Sequence, residues 1–317
     1  MLDARVEVDR ITEALRQQVF GTLRRRGVVV GLSGGIDSSV VAALCVHAFG
    51  KNKVLGLFMP ESHSSGDSLR LGRVVASQLG IDSILEDITP ALEGVGAYSR
   101  QIEAIRTAVP AYGQGWKCKL VMASVLENNG LNITRLTVED PDGNVDTVRL
   151  PSAAYLQIVA ATNYKQRVRK MTEYYHADRL NYAVAGTPNR LEHDQGFFVK
   201  QGDGIADVLP IVHLYKTQVY QLAKYLGIDA EVQRRPPTTD TFSMAQSQEE
   251  FYFALPYHLM DLCLYGLNHG ISAAEVAAVA GLTADQVQKV FKDIESKRRA
   301  ARYLHARPLP AVQMDEG

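Results

Sequence analysis

The run Val28-Val29-Val30-Gly31, followed at once by Leu32-Ser33-Gly34-Gly35-Ile36-Asp37-Ser38-Ser39, constrains this chain more than any other feature. β-Branched residues suit a buried strand, and two adjacent glycines let the backbone turn tightly and approach a ligand closely. The helix expected to follow begins near Asp37 and continues through the apolar Val40 to Val46, so its first-turn N–H groups and positive dipole end face the loop. A strand, glycine turn and helix in that order form a phosphate-binding device. The segment lacks the lysine of GxxxxGK[ST], and Gly31, Gly34 and Gly35 do not make GxGxxG, which counts against kinase-like and dehydrogenase readings.

A length of 317 residues allows one large α/β domain with appendages. The formal net charge of −1 counts against a protein that coats nucleic acid or an anionic membrane. Cys45, Cys118 and Cys263 are far apart and form no CxxC pair, so neither a zinc ribbon nor a disulfide framework is expected. Charged Asp9, Arg10, Glu13 and Arg16 interrupt the first stretch, which has no apolar signal core, and no run approaches the ~20 apolar residues needed to span a bilayer. These features predict a soluble cytoplasmic protein without nucleic-acid or membrane partners.

Val6, Ile11, Leu15, Val19 and Leu23 have helical spacing, so an amphipathic helix over 5–25 leads into the first strand. Val54 to Met59 predicts a second strand, Ser68 to Leu79 a helix, Ile84 to Ile88 a third strand, and Leu180 to Ala185 a fourth. Strands alternating with helices predict a doubly wound parallel sheet with ligands at the carboxyl ends of its strands. Leu131 to Val138 alternates, Pro141-Asp142-Gly143-Asn144 is a turn, and Val145 to Leu150 alternates again, giving a β-hairpin inserted over 128–150. From Met244 the chain is mostly helical, with a helical carboxyl-terminal region over 244–310. One α/β domain over 1–317 therefore carries a hairpin and a helical appendage.

After the fourth strand, Gly186-Thr187 to Ala206-Asp207 gathers carboxylates and a lysine among glycines. Glu192 is a candidate to complete a Mg²⁺ site with Asp37, and Lys200 and Lys216 to neutralise phosphate charge. A solvated charged loop is the competing interpretation of that segment by itself.

Ser33-Gly34-Gly35-Ile36-Asp37-Ser38 resembles the SGGxDS loop of the ATP pyrophosphatases, enzymes that split ATP into AMP and pyrophosphate while adenylating an acceptor oxygen. Gly186-Thr187, Glu192, Gly196-Phe197-Phe198, Lys200, Gly202-Asp203-Gly204, Ala206-Asp207, Pro210, Leu214, Lys216, Pro237-Thr238 and Asp240 together resemble the NAD synthetases within that group. Asn163 to Met171 is similar to that family's NxxxRxRM helix, so the resemblance covers nearly the whole chain. It implies an adenine nucleotide alpha hydrolase-like fold and a two-step ligase reaction. The carboxylate of deamido-NAD attacks the α-phosphate of ATP, and ammonia then displaces AMP to give NAD. It further implies that Gly31, Leu32, Ser33, Gly34, Gly35, Ile36, Asp37 and Ser38 bind the ATP phosphates, with Thr187 and Thr238 also on ATP. Asp37 and Glu192 would hold Mg²⁺, and Lys216 would clamp the phosphates. Asn163, Arg167, Lys200, Asp207, Ser296 and Lys297 would bind deamido-NAD, and Asp203 would receive ammonia. The family's homodimer would place the Asn163 to Met171 helix at the subunit interface. The chain starts only a helix before the loop, so free ammonia, or ammonia delivered by a separate protein, is the expected nitrogen source.

Several positions depart from the family pattern. Pro188-Asn189 replaces a more polar pair, Gln201 stands where an aromatic is common, Ser296-Lys297-Arg298-Arg299 lacks a histidine, and 239–250 diverges. A paralogue amidating another carboxylate would fit these departures. A silent nucleotide-binding protein fits less well, since Asp37, Glu192, Lys200 and Lys216 are all present. The pattern over Ile271 to Lys289 superficially resembles a DNA-binding helix-turn-helix, but acidic Glu275 and Asp285 oppose phosphate contacts.

Overall fold

The computed structural model describes residues 2–122, 134–238, 241–253 and 255–312. The chain opens with helix α1 (Ala4–Arg16), prolonged by a wider turn over Gln17–Thr22, and enters strand β1 (Val28–Gly31). Helix α2 (Ile36–Phe49), strand β2 (Val54–Phe58), helix α3 (Gly66–Leu79) and strand β3 (Asp82–Leu85) follow in the expected alternation. Helices α4 (Thr89–Gly94) and α5 (Ala97–Arg106) then lead to strands β4 (Lys117–Val121), β5 (Arg135–Glu139) and β6 (Val145–Arg149). The 29-residue helix α6 (Ser152–Leu180) returns the chain to the main sheet at β7 (Ala183–Ala185). The remainder comprises α7 (Arg190–Gln195), α8 (Lys216–Tyr225), α9 (Ala230–Arg234), α10 (Tyr257–Asn268), α11 (Ala273–Ala280) and α12 (Ala284–His305).

The main sheet is parallel in the order β3-β2-β1-β7. Successive residues of β1 point to opposite faces, and both faces are covered. Val28 and Val30 pack with α1, α2, α3 and α8 on one side, whereas Val29, Leu55, Leu57 and Val184 pack with α4, α5 and α6 on the other. That two-sided burial is the reason β1 and β2 are continuously apolar.

Strand positions differ in detail from the sequence expectation. The third strand lies at Asp82–Leu85 rather than over 84–88. The fourth keeps only Ala183–Ala185, because Leu180 ends α6 and Asn181 caps it in the left-handed region at φ 55°. The helix read over 163–171 is the middle of α6. The hairpin is present as β5 and β6, but a third antiparallel strand, β4, pairs along β5 from Lys117↔Glu139 to Val121↔Arg135. The start of the alternating run, 131–133, lies outside the described residues. The small sheet packs Leu120, Leu136 and Val138 against Ile105 and Ile158, so it stands against α5 and α6 as one wall of the cleft. Among the described residues, no helix is long and apolar enough to cross a membrane.

One buried ion pair ties these parts together. Lys165 of α6 is 1 % exposed, and its Nζ donates to Glu61 Oε1 at 3.0 Å and to the Thr241 carbonyl at 2.7 Å. Tyr98 of α5 donates to the other Glu61 oxygen at 2.7 Å. Removing one member of a buried pair strands the other charge, at about 3–5 kcal/mol. Lys165→Met is therefore expected to lower the urea-denaturation free energy by that order. The double variant Lys165→Met/Glu61→Gln should recover much of the loss, and a single variant as stable as the parent would refute the pair.

Candidate functional site

β1 ends beneath the glycine turn, and α2 begins on its far side. Gly34 adopts φ 70°, and a Cβ there would meet the Ser68 carbonyl at 2.6 Å, so only glycine fits between the loop and α3. Gly35 is the N-cap of α2, in extended conformation and without a side-chain cap. The first-turn N–H groups of α2 are thereby left to an external acceptor, and anions suit that position. Ser38 and Ser39 donate back to the Gly35 carbonyl at 3.0 and 2.8 Å, which holds the turn closed from below.

The loop after β7 meets α2 at its first turn. Asn189, fully buried, is the N-cap of α7: its Oδ1 accepts from the Glu192 backbone N–H at 3.2 Å, and Glu192 Oε2 accepts from the Asn189 N–H at 3.1 Å. The remaining Asn189 amide donates to Asp37 Oδ1 at 3.0 Å. Asp37 Oδ2 accepts from Lys216 Nζ at the start of α8. Lys216 is fully buried, with its ammonium 5.2 Å from the centre of the Tyr257 ring, and Asp261 of α10 caps α8 by accepting from the Thr217 N–H at 2.7 Å.

Three charges thus share a buried corner. Burial and, next, the Asp37 carboxylate push Glu192 up to about 8, while Lys216 draws it down. Burial alone would lower Lys216, but Asp37 and Glu192 together carry it above the ordinary lysine value. Two close carboxylates, one driven toward protonation, form a donor set that a hard divalent cation would relieve. Among the described residues, no group of three or more His, Cys, Asp or Glu is arranged for a metal. The pair therefore suits an ion that takes its other ligands from phosphate and water, as Mg²⁺ does.

A cleft of about 450 Å³ opens over this corner. Gly31, Leu32, Ser33, Gly35, Ile36, Asp37, Ser38, Thr187, Glu192, Asp203, Thr238 and Asn163 all line it. Gly34 lies within the same turn, and Lys216 reaches the site through Asp37. Asp203 accepts from the Val199 N–H at 2.7 Å, and burial raises its carboxyl above the usual range.

The other sequence candidates do not line the cleft. Arg167 Nε donates to the Lys200 carbonyl at 3.3 Å, and Lys200 Nζ lies 4.1 Å over the Tyr303 ring, donating to that residue's carbonyl at 2.9 Å. Asp207 accepts from the Val184 N–H at 2.8 Å and holds the end of β7. Ser296 is exposed on α12. Lys297 is turned into the helical appendage, with its ammonium 2.7 Å from both Asp293 Oδ2 and the Tyr252 carbonyl. Neither Ser296 nor Lys297, both expected to bind the dinucleotide, lines the cleft. Asp240 lies outside the described residues.

Several cleft residues escaped the sequence reading. Asn189 figured only as a departure, yet it links the two carboxylates. Lys170 and Glu173 form a buried pair at 2.6 Å along the cleft floor, and a Cβ on Gly31 would come within 2.9 Å of Glu173. Their i, i+3 spacing next to Arg167 and Arg169 was the available signal. Tyr155, Phe197, Phe251 and Tyr252 give the cleft an aromatic wall, and Arg235 sits at its mouth.

The family model described as NAD synthase matches residues 7–110 and 118–302. The chain is 81 % identical over 315 residues to an NH(3)-dependent NAD(+) synthetase of Mesorhizobium japonicum, covering 99 % of both chains. It is 34 % identical over 277 residues to one of Thermotoga neapolitana, covering 86 % of this chain and 88 % of that one. An NMN synthetase structure from Francisella tularensis superposes with a TM-score of 0.67 at 22 % identity, covering 98 % of this chain and all of that one. An NH3-dependent NAD synthetase from Campylobacter jejuni gives 0.63 at 20 % identity over the same shares, and both likenesses show the fold.

Glu192 supplies a pH test. Its folded pKa lies above that of a free carboxyl, so between about 4.5 and 8 the folded state holds a proton that the unfolded chain releases. Stability from this group is present below that window and is lost as pH rises through it. Without nucleotide and with a chelator, the melting temperature is expected to fall more steeply across the window than that of Glu192→Gln, which cannot titrate. Parallel curves would contradict the raised value.

Proposed function

The chain belongs to the NAD synthase family, and we propose that it converts deamido-NAD to NAD with ATP and ammonia, releasing AMP and pyrophosphate. The observation that carries this is the junction of Asp37, Asn189, Glu192 and Lys216 beneath a glycine loop with free helix N–H groups. Near-complete coverage at high identity to an NH(3)-dependent NAD(+) synthetase supports deamido-NAD as the acceptor and ammonia as the nitrogen source. It gives no support to a different carboxylate acceptor.

A carboxylate is a poor acyl donor, and adenylation gives it a leaving group. An acceptor oxygen bonds to the α-phosphorus while pyrophosphate departs; the nitrogen of ammonia then bonds to the acyl carbon, a proton is lost, and AMP departs. In this reading Gly31 to Ser38 bind the phosphates through backbone N–H groups, and Thr187 and Thr238 bind ATP. Lys216, held by Asp37, offsets charge that grows on the phosphates, the kind of preorganised electrostatic help worth most in a closed site. Asp37 and Glu192 would hold Mg²⁺, which when bound would neutralise phosphate charge. Asp203, whose carboxyl burial holds above the usual range, suits the position where ammonia enters and a proton is taken up.

The acceptor requires a surface beyond this cleft. Along α6, Leu156, Met171 and Tyr175 are 64, 64 and 63 % exposed. An apolar row of that kind on a long helix suits contact with a second copy. We place Arg167 and Lys200 beside that contact, where they would bind the acceptor's phosphates together with Asn163. Asp207 would act through the end of β7. The free buried thiols of Cys45, Cys118 and Cys263 fit a reducing cytoplasm.

Purified protein with ATP, Mg²⁺ and deamido-NAD is expected to release pyrophosphate and form NAD with ammonium but not with glutamine alone. Asp37→Asn and Glu192→Gln should each lower kcat on the order of a hundredfold; full activity in either would remove the metal assignment. Sedimentation should show a dimer, and Met171→Glu combined with Tyr175→Glu should yield monomers. A variant that stays dimeric would move the interface off α6.

A further inference from the structure

Arg235 is absent from the roles assigned above, yet the fold takes trouble to aim it. It follows α9, whose Glu231 accepts from the Arg70 guanidinium of α3 at 2.9 and 2.5 Å. Asp229 at the head of α9 donates its N–H to Gln78 of α3 at 3.1 Å. Pro236 and Pro237 follow Arg235 and restrict the backbone on that side. So α9 is docked on α3 and delivers Arg235 across the mouth of the cleft to the phosphate loop.

There the guanidinium meets neutral partners. Nη1 donates to the Ser33 carbonyl at 3.5 Å, and Nη2 donates to the hydroxyls of Ser68 at 2.8 Å, Ser65 at 3.3 Å and Thr238 at 3.5 Å. Arg298 and Arg70, by contrast, pair with the carboxylates of Asp194 and Glu231. Among the described residues, no carboxylate forms an ion pair with Arg235. A guanidinium is a rigid fork matched to two oxygens of one anion, and hydroxyls can rotate to release it. It lines the cleft beside Ser33, Gly35, Ser68 and Thr238, next to the N–H groups at the head of α2.

We propose that Arg235 binds the β- and γ-phosphates of ATP, the part that leaves as pyrophosphate, and stabilises the charge gathered there during adenylation. The inference rests on the reading of the chain as an ATP-dependent amide ligase. In that step an oxygen of the acceptor carboxylate forms a bond to the α-phosphorus. The bond from the α-phosphorus to the oxygen bridging it to the β-phosphorus breaks, and its electron pair leaves with pyrophosphate. Lys216 serves the loop from α8, and Arg235 serves it from the α3 side, so the departing group is held by two cations on separate elements.

The test compares the full-length parent with Arg235→Gln and Arg235→Lys. Calorimetric titration with magnesium pyrophosphate is expected to show binding weakened about 10- to 100-fold in Arg235→Gln, the range for a charge-assisted hydrogen bond. Arg235→Lys should fall between the two, because an ammonium offers charge without the fork. AMP affinity, the melting temperature and the KM for deamido-NAD should stay at parent values, while kcat/KM for ATP falls with pyrophosphate affinity. Parent-like pyrophosphate binding in Arg235→Gln would overturn the proposal, and so would an equal loss of AMP and pyrophosphate binding. Failure of the parent to make NAD from deamido-NAD would instead remove the acceptor reading, with the pyrophosphate titration still deciding the role of Arg235.

Discussion

The contact between Asp37 and Lys216 is the constraint around which the rest of the molecule is arranged. A fully buried ammonium costs several kcal/mol in lost hydration, and attraction to one carboxylate offsets this only if geometry and further hydrogen bonds are good. The chain supplies them from distant segments. Asp37 comes from the first turn of α2 and Lys216 from the first turn of α8, and Asn189 holds the other Asp37 oxygen. Asp261 occupies the backbone N–H groups at the head of α8, and the Tyr257 ring lies against the lysine. Positioning one ammonium thus requires β1, β7 and the helical appendage to be in register with one another.

Glu192 turns that structural pair into a site. An ion pair alone would be neutral and inert, but a second carboxylate nearby leaves the corner with more negative charge than its lysine balances. Burial answers by favouring a proton on Glu192. The protein therefore stores an unsatisfied demand for positive charge directly below a loop whose N–H groups demand negative charge. A polyphosphate accompanied by a divalent cation meets both demands together, and neither species does so alone. The stability given up at this corner is a cost that substrate binding recovers, a pattern common to strained functional sites.

What was legible in the sequence follows the range of each interaction. The phosphate loop was readable because strand, turn and helix signals are local: three valines, two glycines and an apolar helix within 19 residues. Glu192 was readable as a candidate because a segment of charged residues and glycines after a strand is conspicuous, whereas the clamping role expected of Lys216 came from the family resemblance. Lengths and partners were less so. The third strand of the small sheet could not be foreseen, since β4 is separated from β5 by residues 122–134 and strand pairing leaves no local mark. α6 was read only over its middle third because its charges are spread around it: Lys165, Lys170 and Glu173 are buried, whereas Leu156 and Met171 are exposed. An inverted pattern of that kind defeats periodicity and arises where a helix lines a polar cleft on one side and offers an apolar row on the other. Lys297 turns inward for a related reason. A motif match gives a residue type and a position, but Asp293 and the Tyr252 carbonyl decide where the ammonium points.

The aromatic wall completes the logic of the cleft. Activation of a carboxylate by adenylation creates a species open to hydrolysis by the far more abundant water, so a ligase of this kind must keep water from the acyl carbon while admitting a small nitrogen nucleophile. The phosphate side cannot do this, because it must be polar and open enough to exchange nucleotides. An aromatic part of the lining comes from Tyr155 on α6 and from Phe251 and Tyr252, with Phe197 stacked on Tyr252 at 4.8 Å between ring centres. Tyr252 is fixed in turn by donating to the Gln195 carbonyl at 2.7 Å and by the Lys297 ammonium over its ring at 4.8 Å. Asp203 lines the same cleft as a polar group in a buried setting. The small sheet and the helical appendage thus supply apolar lining to a cleft whose other lining is the glycine loop and its charged corner.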